Sequence, residues 1–243
     1  MNGGAFAGRG ATTMVTDHAA SRLTSRFGYS LLRLTIAPVI RALWVGSVAG
    51  LENIPRSGGL IVASNHESFM DFLCFMAVCP RDVHYLAAEK FFNSLWTHWL
   101  MRLSGQIKLD RHAPHPGEAY KQAVSALRQG HVVGIFPEGT RSPDGRLLRG
   151  RVGVARLAHR ARVPVLPVGV SGTFEILPRH RRWPRLAKCD IRIGTPMVFP
   201  EFAATRLPDE RYRAITDEIM LRIAALTGEI YPHIATHTSE VSA

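Results

Sequence analysis

Acidic residues are scarce in this chain. Nineteen Asp and Glu stand against 30 Lys and Arg, a formal charge of +11. A surface of that sign selects partners that carry phosphate: nucleic acid, a lipid surface or a phosphorylated small molecule. Cysteine is scarcer still. Cys74, Cys79 and Cys189 are odd in number, lack Cys-x-x-Cys spacing, and two of them fall in an apolar run. That argues against a disulfide framework and reads as reduced core thiols of a cytosolic compartment. A long uninterrupted apolar run is missing as well. Residues 29–48 come nearest, but Arg33, Pro38 and Arg41 interrupt them, which excludes both a spanning helix of about 20 mostly apolar residues and a signal peptide. Internal repeats and low-complexity linkers are also absent. What is present, 243 residues of which 46% are hydrophobic, suffices for one sizeable buried core.

The amino-terminal 50 residues read differently from the rest. Residues 1–16 are rich in Gly, Ala and Thr and are expected to be a disordered tail. Beyond them, at about 100° per residue, Arg22, Arg26 and Arg33 fall in one stripe and Leu23, Phe27, Leu31 and Leu34 on the opposite side. This is an amphipathic helix, kinked or restarted at Pro38. It either packs on the domain with its arginines in water or lies as an anchor in a membrane interface. Residues 1–50 are thus set apart from a single domain over 51–243.

From residue 51 onward, short apolar runs alternate with helical patterns. Residues 59–64, 83–89, 105–110, 131–136, 165–170 and 190–194 read as strands, several of them apolar on both faces. Between and after them, 68–78, 91–103, 117–129, 152–160 and 208–226 read as helices. The alternation implies an α/β fold, a largely parallel sheet covered by helices on both sides. In such sheets functional groups collect at the carboxyl ends of the strands.

The stretch SNHESFMDF, residues 64–72, carries the first chemistry. Its His-Glu pair resembles the start of a zinc-protease motif, but Met70 stands where the second histidine belongs, so the metal reading fails. His66 lies just past the first expected strand and Asp71 five positions on, at the start of a helix. Five positions along one helix diverge by about 140°, so the two side chains meet only if His66 sits in the preceding turn. An aspartate on one imidazole nitrogen fixes the tautomer and stabilises the imidazolium, leaving the other nitrogen to take a proton. The bland alternative is a turn histidine beside a salt-bridging aspartate.

Two further segments weigh against the bland reading. GQIKLDR ends in Asp110 and Arg111 after one expected strand, and FPEGTRS, residues 136–142, follows another. In the latter, Pro137 ends the strand and Gly139 permits a tight turn with exposed N–H groups. Thr140 and Arg141 add donors suited to an oxyanion, and Glu138 is placed to accept from a substrate hydroxyl or to hold an arginine. No Gly-x-Ser-x-Gly elbow exists, since GVSGTF has the wrong spacing.

On these residues the chain resembles the glycerophospholipid acyltransferases of the 1-acylglycerol-3-phosphate (lysophosphatidate) acyltransferase family. The family's Asn-His-x4-Asp motif stands as Asn65, His66 and Asp71. Gly-x-Ile-x-x-Asp-Arg stands as Gly105, Ile107, Asp110 and Arg111, and Phe-Pro-Glu-Gly-Thr-Arg-Ser is complete from Phe136 to Ser142. A looser Val-Pro-x-x-Pro-Val pattern stands as Val163, Pro164, Pro167 and Val168. Their order agrees over residues 51–171, half of the chain.

The resemblance implies a glycerol-phosphate acyltransferase-like fold and an enzyme in which His66, oriented by Asp71, deprotonates the sn-2 hydroxyl of 1-acylglycerol-3-phosphate. The hydroxyl attacks an acyl thioester of coenzyme A or an acyl carrier protein, giving phosphatidate, with no acyl-enzyme, no cofactor and no metal. Arg111, Glu138, Gly139, Thr140 and Arg141 would hold the glycerol phosphate, and Lys90 would assist the phosphate. The implied partners are a lysophospholipid, an acyl thioester and an anionic membrane surface, with the enzyme peripheral on the cytoplasmic face. Beyond residue 171 the resemblance is thin; there residues 179–188 form a basic loop around Trp183, suited to anionic headgroups, to coenzyme A phosphates or simply to water. Two alternatives stay open: another acceptor, either a different lysophospholipid or glycerol-3-phosphate, and a basic nucleic-acid-binding module. The second would need basic residues interleaved with stacking aromatics, of which only Trp183 is a candidate.

Overall fold

The computed structural model describes residues 11–89, 92–93, 97–109 and 117–233, with the side chains of 11–27 and of Leu109 left aside. In chain order the elements are α1 (Ala11–Trp44), β1 (Val45–Ala49), β2 (Leu60–Ser64), α2 (Met70–Val78), β3 (Val83–Ala88), α3 (His98–Leu103), β4 (Ile107–Leu109), α4 (Gly117–Arg128), β5 (Val132–Ile135), α5 (Gly153–Ala161), β6 (Val165–Ser171), α6 (Thr173–Ile176), β7 (Cys189–Ile193) and α7 (Asp209–Thr227).

Among the described residues the strands form one seven-stranded sheet in the order β1-β7-β6-β2-β5-β3-β4. Its pairs are parallel except β6–β7, which is antiparallel. The expected mixed, mostly parallel sheet is therefore present. Alternate residues of each central strand feed opposite faces: Leu60 and Val62 pack with α1, α2 and α3, whereas Ile61 and Ala63 pack with α4, α5 and α7. With both faces covered, every residue of β2 is buried, which is why its sequence shows no polar alternation. Gly134 in β5 is required by close packing, because a Cβ there would stand 2.5 Å from the ring of Tyr85 on β3. Cys74, Cys79 and Cys189 are buried free thiols.

The amino-terminal segment differs from its expectation in three ways. Helix α1 begins at Ala11, inside the stretch read as disordered, and runs through Pro38 as a single element. Its faces are also rotated. Arg33 points at the protein, donating to the carbonyl of Cys79 and standing 3.8 Å from Asp82, while Leu34 is 79% exposed. Cys79 caps the carboxyl end of α2, and the negative end of a helix dipole beside an aspartate holds a guanidinium better than water alone does. Tyr29, Leu32 and Ile40 supply the buried face instead, Tyr29 accepting the Val83 N–H at 3.0 Å. Finally, β1 was not expected; it pairs with β7 at the sheet edge, pinned where the N–H and hydroxyl of Ser47 both reach Asp190 Oδ1. No helix among the described residues is long and apolar enough to cross a membrane.

Candidate active site

Strand β2 lies between β5 and β6, parallel to both, so the loops leaving these three strands meet at one edge of the sheet. β2 delivers Asn65 and His66, β5 delivers Phe136 to Ser142, and β6 delivers Gly172 and Thr173. Asn65 extends the β2–β6 ladder with its side chain: its amide donates to the carbonyl of Val170 at 2.7 Å and accepts from the Val170 N–H at 2.9 Å. The backbone can then turn away from the sheet without orphaning those two groups.

The turn that follows brings His66 and Asp71 together, with Nδ1 2.8 Å from Oδ2. Asp71 is 1% exposed, and its Oδ2 also accepts the backbone N–H groups of Glu67 and Ser68, each at 2.9 Å. Oδ1 accepts the hydroxyl of Thr173. Four donors on one buried carboxylate fix its plane. The imidazole lies flat on Phe136, centroids 3.8 Å apart and 11° from parallel, and Phe136 stacks in turn on Tyr85. Nδ1 is committed to Asp71, so Nε2 is the nitrogen left to exchange a proton; the side chain is 18% exposed.

The 136–142 loop holds this turn from below and differs in part from its sequence reading. Glu138 was expected at the substrate. It is buried, with Oε1 accepting the His66 N–H at 2.8 Å and Oε2 the Leu148 N–H at 3.0 Å. It is a strut between two loops, both oxygens already accepting and the residue only 3% exposed. Burial pushes its carboxyl up to about 8 against the pull of those two donors. Gly139, at φ 71°, spends its N–H on the carbonyl of Phe136 at 3.0 Å, and a Cβ there would collide with Arg151 at 2.9 Å. Thr140 and Arg141 keep the expected character, because among the described residues neither N–H has an acceptor and no carboxylate pairs with the Arg141 guanidinium. Burial, and then the neighbouring Arg179, lower Arg141 from its ordinary range. A half-buried cation that feels a second cation, and has no ion-paired carboxylate among the described residues, is poised for an anion. Lys90 and Arg111 lie outside the described residues.

Three contributors escaped the sequence reading. Thr173 sits in GVSGTF, which had served only to exclude a serine nucleophile, and nothing local links it to Asp71. Arg179 belongs to the basic loop, where any of several arginines was eligible. Glu67 accepts from Asn65 Nδ2 at 2.9 Å and from the Phe174 N–H at 3.3 Å. Burial, and after it the Asp71 charge, push its carboxyl up to about 9 from an ordinary 4.5.

The raised Glu67 carboxyl has a consequence for stability. The unfolded chain releases this proton near pH 4.5 and the folded one only near 9, so the folded state holds the extra proton between those values and loses stability as pH rises through the window. The thermal midpoint is expected to fall by a few degrees from pH 6 to pH 9, and Glu67→Gln to lessen that slope. Scanning calorimetry of both proteins checks this; an unchanged slope in the variant would assign the dependence to other groups.

Among the described residues, a histidine–aspartate pair with Nε2 uncommitted and an arginine without an ion pair, at the carboxyl end of a mostly parallel sheet, suit an acyl- or phosphoryl-handling transferase site. The comparisons resolve which. Residues 47–171 match the family model described as Acyltransferase, and the chain belongs to that acyltransferase family. It is 30% identical over 182 residues to the 1-acyl-sn-glycerol-3-phosphate acyltransferase of Bacillus subtilis, covering 74% of this chain and 86% of that one. A chloroplastic 1-acyl-sn-glycerol-3-phosphate acyltransferase of Brassica napus is 29% identical, over 68% of this chain and 49% of its own length. Among solved structures, the 1-acyl-sn-glycerophosphate acyltransferase PlsC of Thermotoga maritima superposes with a TM-score of 0.62 at 27% identity, covering 83% of this chain and 77% of that one.

Proposed function

We propose that this enzyme transfers a fatty acyl group from an acyl thioester, carried by coenzyme A or an acyl carrier protein, to the sn-2 hydroxyl of 1-acylglycerol-3-phosphate, giving phosphatidate. The observation that carries this reading is His66 Nε2, uncommitted among the described residues and polarised through Nδ1 by a buried carboxylate 2.8 Å away, on the same sheet edge as Arg141, which has no ion pair among them. The names of the relatives supply the acceptor.

In the proposed reaction His66 Nε2 takes the hydroxyl proton as the oxygen attacks the thioester carbonyl. The C–S bond then breaks, and the departing thiolate recovers the proton from the imidazolium. Asp71 holds the imidazole and stabilises its cationic form. Direct transfer is favoured because the three hydroxyls on the turns around the pair, those of Ser68, Ser142 and Thr173, already donate elsewhere. Ser68 donates to the Leu177 carbonyl at 2.7 Å, Ser142 to Asp144 at 3.1 Å, and Thr173 to Asp71. A thioester is already activated, and binding makes the attack effectively intramolecular. Arg141, with the N–H groups of Thr140 and Arg141, would receive the acceptor's phosphate, and Lys90 and Arg111 would join it. The enzyme would work from the cytoplasmic face, attached peripherally with α1 against the lipid.

Thiol release from palmitoyl- and oleoyl-coenzyme A against a panel of lysolipids and glycerol-3-phosphate tests the reading. Release that depends on lysophosphatidate is expected; release driven equally by uncharged or bulkier acceptors would overturn the assignment. Within that assay Arg141→Ala should raise KM for the phosphorylated acceptor about 10–100-fold, as loss of a hydrogen bond to a charged group does, and leave KM for the thioester within about twofold. An equal rise for both substrates would move Arg141 out of the phosphate site.

A further inference from the structure

The proposed chemistry draws on the segment between α6 and β7 only through the Leu177 carbonyl, which accepts from Ser68. Residues 177–188 carry Arg179, Arg181, Arg182, Arg185 and Lys188, and no Asp or Glu. Among those cations Trp183 and Leu186 stand 77% and 80% exposed. The segment is also built rather than loose. The Arg181 N–H donates to the Pro178 carbonyl at 3.0 Å and the Arg185 N–H to the Ile176 carbonyl at 2.8 Å. Trp44, at the end of α1, donates through Nε1 to the Arg185 carbonyl at 2.8 Å, and Lys188 Nζ donates to the Ala42 carbonyl at 2.6 Å. Pro178 and Pro184 restrict the backbone further. An indole and a leucine are therefore held out in water by a strap that is hydrogen-bonded at both ends.

We infer that this strap docks the enzyme on an anionic bilayer, with Trp183 and Leu186 seated at the boundary of headgroups and acyl chains and Arg181 and Arg182 on the headgroup phosphates. Indoles favour that boundary, and arginine stems lie along apolar surface while the guanidinium stays at the polar level. The charge matches an anionic leaflet, whose field is worth about fivefold in binding per arginine close to the surface. A coenzyme A phosphate or an acidic protein surface would satisfy the arginines but would give an exposed Trp–Leu pair nothing to enter. The strap begins at the catalytic turn, where the Leu177 carbonyl accepts from Ser68 and the Arg179 charge is felt at Arg141. Docking through it holds the mouth of the site against the surface in which a lysolipid acceptor resides. That benefit rests on the proposed acceptor; the docking itself does not.

Sedimentation of the full chain with vesicles of phosphatidylcholine containing phosphatidylglycerol, and with pure phosphatidylcholine vesicles, tests this without any turnover. The Trp183→Ser/Leu186→Ser pair should lower partition about tenfold or more on both vesicle types. Arg181→Gln/Arg182→Gln should lower it about tenfold or more on the anionic vesicles only, and should flatten its dependence on salt. Each variant should keep the parent rate on a short-chain lysophosphatidate dispersed as monomers and lose rate on acceptor embedded in vesicles. Unchanged partition in both variants would overturn the inference and leave attachment to α1. A rate loss on the monomeric acceptor equal to that on vesicles would also overturn it, by making the strap part of the substrate site. If lysophosphatidate fails as acceptor while partition falls as stated, the docking stands and the acceptor assignment does not.

Discussion

Replacing His66 by alanine is expected to lower kcat for acyl transfer by about 10²–10⁴-fold, the contribution of a positioned general base, while the protein stays folded. The two halves of that expectation come from different parts of the site. The rate loss follows from Nε2, the one ring nitrogen not committed to Asp71. The fold is expected to survive with a modest loss: the side chain is 18% exposed, stacks on Phe136 and is one of four donors on Asp71, so its removal forfeits about 1–3 kcal/mol. The backbone of residue 66 keeps its own bonds to Glu138 and Ser142 whatever the side chain. Thiol release measured beside a thermal melt separates the halves. Turnover within a few-fold of the parent would remove His66 from the chemistry, and a collapsed melt would make the residue a scaffold.

The second large effect is at Asp71, where two substitutions part company. Asp71→Ala strips the acceptor from two buried N–H groups and a buried hydroxyl, each costing about 1–3 kcal/mol. A loss on the order of 4 kcal/mol, and a thermal midpoint lower by about 10 °C, is expected. Asp71→Asn should fold nearly as well. Its amide oxygen is forced to the Oδ2 side by the Glu67 and Ser68 donors, which leaves it accepting from His66 and turns the amide NH2 toward Thr173. The histidine keeps its tautomer and orientation and loses only the negative charge behind it. A neighbouring opposite charge stabilises the cationic form by about 1.4–4 kcal/mol, so kcat should fall about 10–10³-fold with KM for both substrates little changed. A KM effect without a kcat effect in Asp71→Asn would mean that Asp71 shapes the pocket rather than the proton transfer.

Much of this site was legible because its parts are local. His66 and Asp71 stand five positions apart across one turn, and Phe136 to Ser142 is a continuous stretch following a strand. Short-range sterics therefore restrict both segments before any tertiary contact exists. Glu138 shows where that reasoning stopped. Its place in a polar turn suggested a group facing substrate, but whether a carboxylate points out or in depends on which backbone N–H groups lie under the turn, and those belong to residues 66 and 148. Arg33 and Leu34 failed for the same reason. Helical periodicity gives two opposed stripes without saying which one the protein covers, and a helix carboxyl end with an aspartate beside it turned Arg33 inward.

By itself the sequence determined the alternation of strands and helices, the apolar strands that demand a sheet covered on both faces, and the pairing of His66 with Asp71, since hydrophobic period and turn chemistry act over a few residues. Only the tertiary structure decided that Thr173, 102 residues away, would complete the acceptor set of Asp71. It also decided that Glu138 would brace the catalytic turn and that Trp183 would be held out in water. Those outcomes depend on which strands become neighbours and on which buried donors they leave to be satisfied, and no local pattern carries that information.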